Sequence, residues 1–176
     1  LFVMLVPDSN QRPCAMTTFH GTSGFSGNGV SSGSASHDFG TGTDRGTGIF
    51  ISHNGTITGV TVGGVACTQA DSDYIGPDTS YAVAIWKLSA PATGLQTVEI
   101  TFSASSTFDA CVISMTDAHQ TTASLTGTRA NNGSLDTAPT VTGTTVSGEL
   151  FIAATASNTT FTPVAPGTGV TEARDS

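Results

Sequence analysis

The amino-acid sequence predicts an all-β fold, an antiparallel β-sandwich of jelly-roll-like type. Three observations carry that expectation. Apolar residues recur with a period of two rather than 3.6, as in half-buried strands. Gly or Pro interrupts each apolar run before a helix could mature. Many short strand candidates are separated by turn-forming clusters, the pattern of sandwiches.

Length and composition agree. A chain of 176 residues suits one domain with a core of its own. Charged residues make up only 10%, against roughly 25% in ordinary proteins, and Gly, Ser and Thr fill the difference. Secreted or surface-displayed β-proteins share this look, because their wet strand faces carry Thr and Ser. Thirteen acids against five bases give a net charge of -8. The bases stand singly at Arg12, Arg45, Lys87, Arg129 and Arg174, whereas a nucleic-acid surface needs them clustered to displace counterions. DNA, RNA and anionic membrane surfaces are therefore excluded as partners. No stretch approaches the roughly 18 apolar residues of a membrane-spanning helix, so membrane insertion is not expected.

From the start of the chain, "LFVMLVPDSNQRPCA", residues 1–15, differs in composition from the remainder and lacks a strand period. It reads as upstream sequence translated in frame or as a disordered leader, with Met16 the true start. Strands are predicted at about 35–39, 47–52, 56–62, 80–88, 96–103, 108–116, 139–145 and 149–156. "GTSGFSGNGVSSGS", "GTGTDRG", "SHNGT", "DSDYIGPDTS", "APATG" and "NNGS" are the expected loops between them. Asn54-Gly55 is a hairpin turn signal, since both residues tolerate positive φ. "TVEITFS" alternates: Val98, Ile100 and Phe102 are expected inside, Thr97, Glu99, Thr101 and Ser103 outside. The segment "GELFIAATA" is apolar on both faces and suits the middle of a sheet. "GVTEARDS" reads as a strand cut short. The domain is thus expected to span 16–176 and to lack its last strands, the chain being a fragment.

"ITGVTVGGVACTQ", "YAVAIWKLSAPATGLQTVEITFS" and "CVISMTDAHQTT" together resemble a widespread β-sandwich module family of phage structural proteins and secreted bacterial surface proteins. "ASHDFGTGTDRGTGIFIS", with Arg45, looks like the hairpin that precedes them. The resemblance covers about 35–160. It implies a jelly-roll-like sandwich, brings no catalytic motif, and implies a virion or extracellular, cell-surface location.

Few residues suggest chemistry. Gly29-Val30-Ser31-Ser32-Gly33 matches the nucleophile-elbow pattern, which needs a strand before its serine and a helix after it; in a Gly/Ser-rich loop such a match arises by chance. His20, His37, His53 and His119 stand apart without zinc-ligand spacing, and read as surface or loop-edge residues. Cys14, Cys67 and Cys111 show no metal spacing. They read as buried free thiols, with a Cys67–Cys111 bridge the alternative in an oxidising compartment. Asp71, Asp73 and Asp78 sit at close intervals in an expected loop and are the weak candidates for calcium, although the EF-hand pattern is missing and a solvated acidic loop is the plainer reading. No cofactor is otherwise expected.

Trp86, the one tryptophan, lies beside the one lysine, Lys87. Along its strand Tyr81, Val83, Ile85 and Lys87 share one face, and Ala82, Ala84, Trp86 and Leu88 the other. An indole among alanines fills the room they leave, so Trp86 is expected in the core. The chain then reads as a non-enzymatic structural or interaction module whose partners are other structural proteins or further copies of itself. The alternative is a carbohydrate-binding module using Trp86, Tyr81 and Tyr74.

Overall fold

A computed structural model describes residues 2–7, 17–75, 82–118, 150–155 and 171–174. Among these residues every element is a strand: β1 (Phe2–Pro7), β2 (Thr18–Asp38), β3 (Gly46–His53), β4 (Ile57–Val62), β5 (Val65–Ala66), β6 (Thr68–Ile75), β7 (Ala82–Ser89), β8 (Leu95–Thr116), β9 (Leu150–Thr155) and β10 (Thr171–Arg174). Each ladder that joins them is antiparallel. The all-β, antiparallel class is as the periodicity predicts.

Seven strands form one sheet in the order β5-β4-β8-β3-β7-β6, with β2 also paired to β8. That sheet is nearly closed into a barrel-like shape. Its spine is the pair of long strands β2 and β8, 21 and 22 residues. The first part of β8 pairs with β4 from Val98 to Phe102, and the last part pairs with β3 from Phe108 to Met115. Between them the β2–β8 register shifts twice, at Gly27/Val30 and Val30/Ser32. Irregular pairing of this kind bends both strands, and the two halves of the sheet then enclose a shared core.

Strict alternation supplies that core. Val98, Ile100 and Phe102 are buried while Thr97 and Glu99 are exposed, as expected; Thr101 is half-buried. From the other half come Ile49, Ile51, Ala110 and Val112, with Val60 and Val62 of β4 and Phe39 beyond β2. At the bend Phe108 packs edge-on to Phe25, ring centroids 5.6 Å apart, and tilted against Phe102 at 5.3 Å. A smaller cluster of Phe50, Cys111 and Ile113, with Ile85 and Met115 against it, lies on the opposite face of β3, β7 and β8. This half of the sheet is therefore apolar on both faces.

Several boundaries differ from the expected ones. "GTSGFSGNGVSSGS", expected as a loop, is part of strand β2. Pairing along the whole of β8 outweighs the low strand propensity of Gly and Ser. Its glycines also have a packing role, since a Cβ at Gly27 or Gly33 would run into the Phe108 ring. The segments 96–103 and 108–116, expected as two strands, are one continuous β8. Asn54-Gly55 is not a hairpin turn. Strands β3 and β4 both pair with β8 and not with each other, so the dipeptide carries the chain from one half of the sheet to the other. The Asn54 side chain accepts the Thr107 amide at 2.8 Å, and a Cβ at residue 55 would collide with Ser106. The true two-residue turn is Gly63-Gly64, with φ of +56° and +81°, where Val62 faces Val65 across β4 and β5. The expected strand at 139–145 lies outside the described residues.

A second, three-stranded sheet has the order β10-β1-β9. Strand β10 comes near β2 without pairing with it. Residues 1–15 were expected to add no strand, yet Phe2–Pro7 forms one; the apolar run "FVMLVP" is long enough to pair on both edges. Because β1, among the described residues, pairs only within the small sheet, a chain starting at Met16 is expected to keep its thermal midpoint within a few degrees by circular dichroism. A large fall would make β1 part of what holds the seven-stranded sheet together.

Candidate functional site

One end of the seven-stranded sheet holds the buried polar residues His37, Thr47 and Ser114; Ser52, His53 and Ser106 are buried near the β3–β4 connection. The first of these ends is closed by the connections after β2, β7 and β8. The Phe39 amide donates to Gly94 O and the Gly94 amide to Gly40 O, each at 3.0 Å, while the Ala118 amide donates to Asp44 O at 2.8 Å. Arg45, the arginine noted in the sequence, acts as a clip: its Nε donates to Pro91 O at 2.9 Å and its Nη1 to Gly42 O. Asp44, Ala90 and Asp117 all adopt left-handed backbone there, with φ of 46°, 51° and 56°. An L-residue gives up roughly 1–2 kcal/mol in that region, so the surrounding hydrogen bonds hold the connections against a local preference.

Inside this end lies His37, only 4% exposed. Alternation along β2 sets it on the face of Ala35 and Phe39, and its ring meets Phe39 edge-on at 4.7 Å. Across the interior Ser23 Oγ stands 2.8 Å from His37 Nδ1. The other ring nitrogen, Nε2, is buried without a hydrogen-bond partner among the described residues. Ser114 Oγ donates to Gly21 O at 3.3 Å, and Thr47 Oγ1 to Ile113 O at 2.7 Å. A serine–histidine pair invites comparison with a nucleophile and its base. A working set also needs a third group on the far nitrogen to orient the ring. Asp38 is adjacent in sequence, but its carboxylate accepts the Gly40 amide at 2.8 Å. The Ser23–His37 contact links the two arms of β2.

Burial lowers the His37 pKa below the usual histidine value; nearby His20 adds to the fall and Asp38 opposes it. The unfolded chain, with a histidine pKa of about 6.5, then takes up the proton first as pH drops. Stability is expected to decline from about pH 6.5 downward until the lowered folded value is reached, and to level off below it. Denaturant midpoints measured across this range in wild type and His37→Gln check it. The wild-type slope should exceed that of the variant, and parallel curves would remove His37 as the cause.

The remaining candidates are scattered over the sheet. Trp86 of β7 sits on the core face with Ala82, Ala84 and Leu88, opposite Ile49 of β3, and packs half-buried against the main core. Its indole Nε1 is buried and makes no hydrogen bond among the described residues. Asp71, Asp73 and Tyr74 lie within strand β6, which runs to Ile75, not in the loop expected for the aspartates; Asp71 pairs with Ile85 and Tyr74 with Val83. Asp78, Tyr81, Cys14 and His119 lie outside the described residues. Among the described residues no three His, Cys, Asp or Glu side chains come together as a metal site.

His20 is exposed, as expected, whereas His37 and His53 are core residues. His53 Nδ1 lies 2.6 Å from Gly55 O. Both rings follow the inward face of a strand, which overrides the usual preference of histidine for the surface. Ser31 of the elbow-like match is exposed in the bend of β2, with strand on both sides and no helix after it. Cys67 and Cys111 are buried and form no disulfide. Cys67 belongs to the main core and Cys111 to the smaller cluster on the other face, so they are not bridged. Burial pushes the Cys67 thiol up to about 11, which leaves it protonated and unreactive near neutral pH.

The Ser23–His37 pair escaped the sequence reading. Its signal is the alternation in "SASHDF", which sets His37 in line with Ala35 and Phe39. Ser23 had no such signal, because the run around it carries no apolar period. No known protein family, curated protein or solved structure matches this chain.

Proposed function

We propose that the chain is a non-enzymatic structural or interaction module of a virion or bacterial surface protein. In this reading it is a sandwich-like β-domain whose two layers are the halves of one bent sheet. The observation that carries the reading is the position of Trp86. A saccharide platform presents its aromatic ring to solvent beside polar groups, and this half-buried indole instead packs against the main core, opposite Ile49, with its N–H buried. The polar interior at the loop end supports the same reading, because His37, Ser23, Thr47 and Ser114 are engaged in joining strands. The neutral Gly, Ser and Thr surface of β2 suits contact with other protein chains better than capture of a charged ligand.

Affinity electrophoresis through gels containing soluble polysaccharides, with immunogold labelling of intact particles and cells, tests it. Mobility is expected to be unaffected by any polysaccharide, and gold is expected on particle or cell surfaces. Retardation abolished by a folded Trp86→Phe variant would replace the reading with carbohydrate binding. Label confined to the soluble cell contents would remove the surface location.

A further inference from the structure

We infer that the bend of the seven-stranded sheet carries a self-modification site, at which Asn28 and Asn54 lose their side-chain amides and become aspartate or isoaspartate. Two Asn-Gly dipeptides meet there on one residue of β8. Thr107 gives its hydroxyl to Asn28 Oδ1 at 2.9 Å and its backbone amide to Asn54 Oδ1 at 2.8 Å. Both asparagines are exposed, so water and hydroxide reach them. Among the described residues neither dipeptide is in register with a partner strand. The β2–β8 pairing passes from Gly27 to Val30, and Asn54-Gly55 links β3 to β4. The Asn54 amide does donate to Thr107 O at 3.1 Å, but the nitrogen that reacts belongs to the following glycine. Each glycine is required by the fold. A Cβ at residue 55 would collide with Ser106, and Gly29 has φ of +66°, the left-handed region that favours glycine. After both asparagines the chain therefore keeps the residue that least hinders attack by its own nitrogen.

The reaction needs only the chain and water. The amide nitrogen of Gly29 or Gly55 loses its proton to hydroxide and attacks Cγ of the asparagine before it. A C–N bond forms, the Cγ–Nδ2 bond breaks, and ammonia leaves after taking a proton from water. Water then opens the five-membered imide. Cleavage at Cγ restores the main chain with an aspartate, whereas cleavage at the backbone carbonyl carbon routes it through Cβ as isoaspartate. The net change is one amide and one water to one carboxylate and one ammonium ion. Each conversion adds a negative charge to the -8 of the chain. Thr107 bears on the first step. Both of its hydrogen bonds fall on Oδ1, the atom that takes up negative charge when Cγ is attacked. A donor already aimed there lowers the cost of that charge, and neither bond holds Nδ2, the leaving group.

Peptide mapping by mass spectrometry tests the site, on the full chain kept folded in mildly alkaline buffer made with heavy-oxygen water. Asn28 and Asn54 are each expected to show an amide-to-acid exchange carrying heavy oxygen, with isoaspartate in excess. Both should convert many-fold faster than Asn158, which precedes a threonine. Thr107→Val removes the hydroxyl bond to Asn28 and keeps the backbone bond to Asn54. It is expected to slow Asn28 several-fold with Asn54 unchanged, and Thr107→Ser is expected to restore the Asn28 rate. General loosening of the bend would instead move both rates together. Conversion of Asn28 and Asn54 as slow as that of Asn158 in the folded chain overturns the site. So does an Asn28 rate that Thr107→Val leaves unchanged or raises.

Discussion

Phe102→Ala is expected to lower the free energy of unfolding by about 3–5 kcal/mol, as large-to-small changes in a close-packed core do. Thr101→Ala, one residue earlier, is expected to cost about 1 kcal/mol or less. The contrast comes from the two faces of β8. Phe102 is 6% exposed and tilts against Phe108, with the His53 ring 6.2 Å away. Removing it opens a cavity at the bend, where the two halves of the sheet meet and where Gly27 and Gly33 already bring the backbone of β2 against Phe108. Collapse into the space is opposed by the pairing of β2 and β8 on both sides of the bend. Thr101 gives its hydroxyl to Gly59 O at 3.2 Å and receives the Thr58 hydroxyl at 3.1 Å, on a face that water reaches. Water replaces both bonds when the side chain is cut back. Chemical denaturation of the two variants side by side measures the contrast, and equal losses would show that β8 does not separate an inner from an outer face there.

That prediction uses the part of the fold most legible in the sequence. Val98, Ile100 and Phe102 announce their face because Thr97 and Glu99 alternate with them, and the pleat turns alternation into burial. The 18–34 part of strand β2 gave no such sign. Its inward positions include Gly33, kept small by the Phe108 ring, and Ser23, kept polar by His37. The residues that fit this strand to its neighbours are the ones that strip it of hydrophobic period. Asn54-Gly55 misled for a related reason: local turn preference says where a chain can reverse, while the long β8 decides which strand the next one joins. The continuity of β8 through "SASST" was hidden because Ser103, Ala104 and Ser105 are exposed at the bend and carry no apolar mark.

The interior of the loop end was half legible. His37 can be assigned inward from Ala35 and Phe39, but its bond to Ser23 joins residues 14 apart on one bent strand, and only the bend brings them together. The separation of Cys67 from Cys111 is likewise a matter of faces: Cys111 alternates with Ala110 and Val112 and so must oppose them, while Cys67 reaches the main core from the short link between β5 and β6.

Trp86→Ala is expected to destabilise the fold by about 3–5 kcal/mol, and Trp86→Phe by clearly less. The alanine variant loses the indole that packs against the main core, on the face where β7 meets Ile49 and Ile51 of β3. Phenylalanine keeps an aromatic ring there. It also removes the indole N–H, which is buried without an acceptor among the described residues; deleting an unsatisfied donor returns part of what the lost volume costs. In wild type the emission of this single tryptophan is expected to be blue-shifted in the folded state, weakly quenched by iodide and indifferent to added oligosaccharides. A surface platform has the opposite signature. Its emission is quenched readily, alanine there leaves the unfolding midpoint in place, and saccharide shifts the spectrum. The order of the variants separates the two cases without any ligand, since a solvated ring tolerates Ala and Phe alike while a packed one ranks Phe well above Ala. Equal stability for both variants, with ready iodide quenching in wild type, would move Trp86 to the surface and reopen the carbohydrate reading.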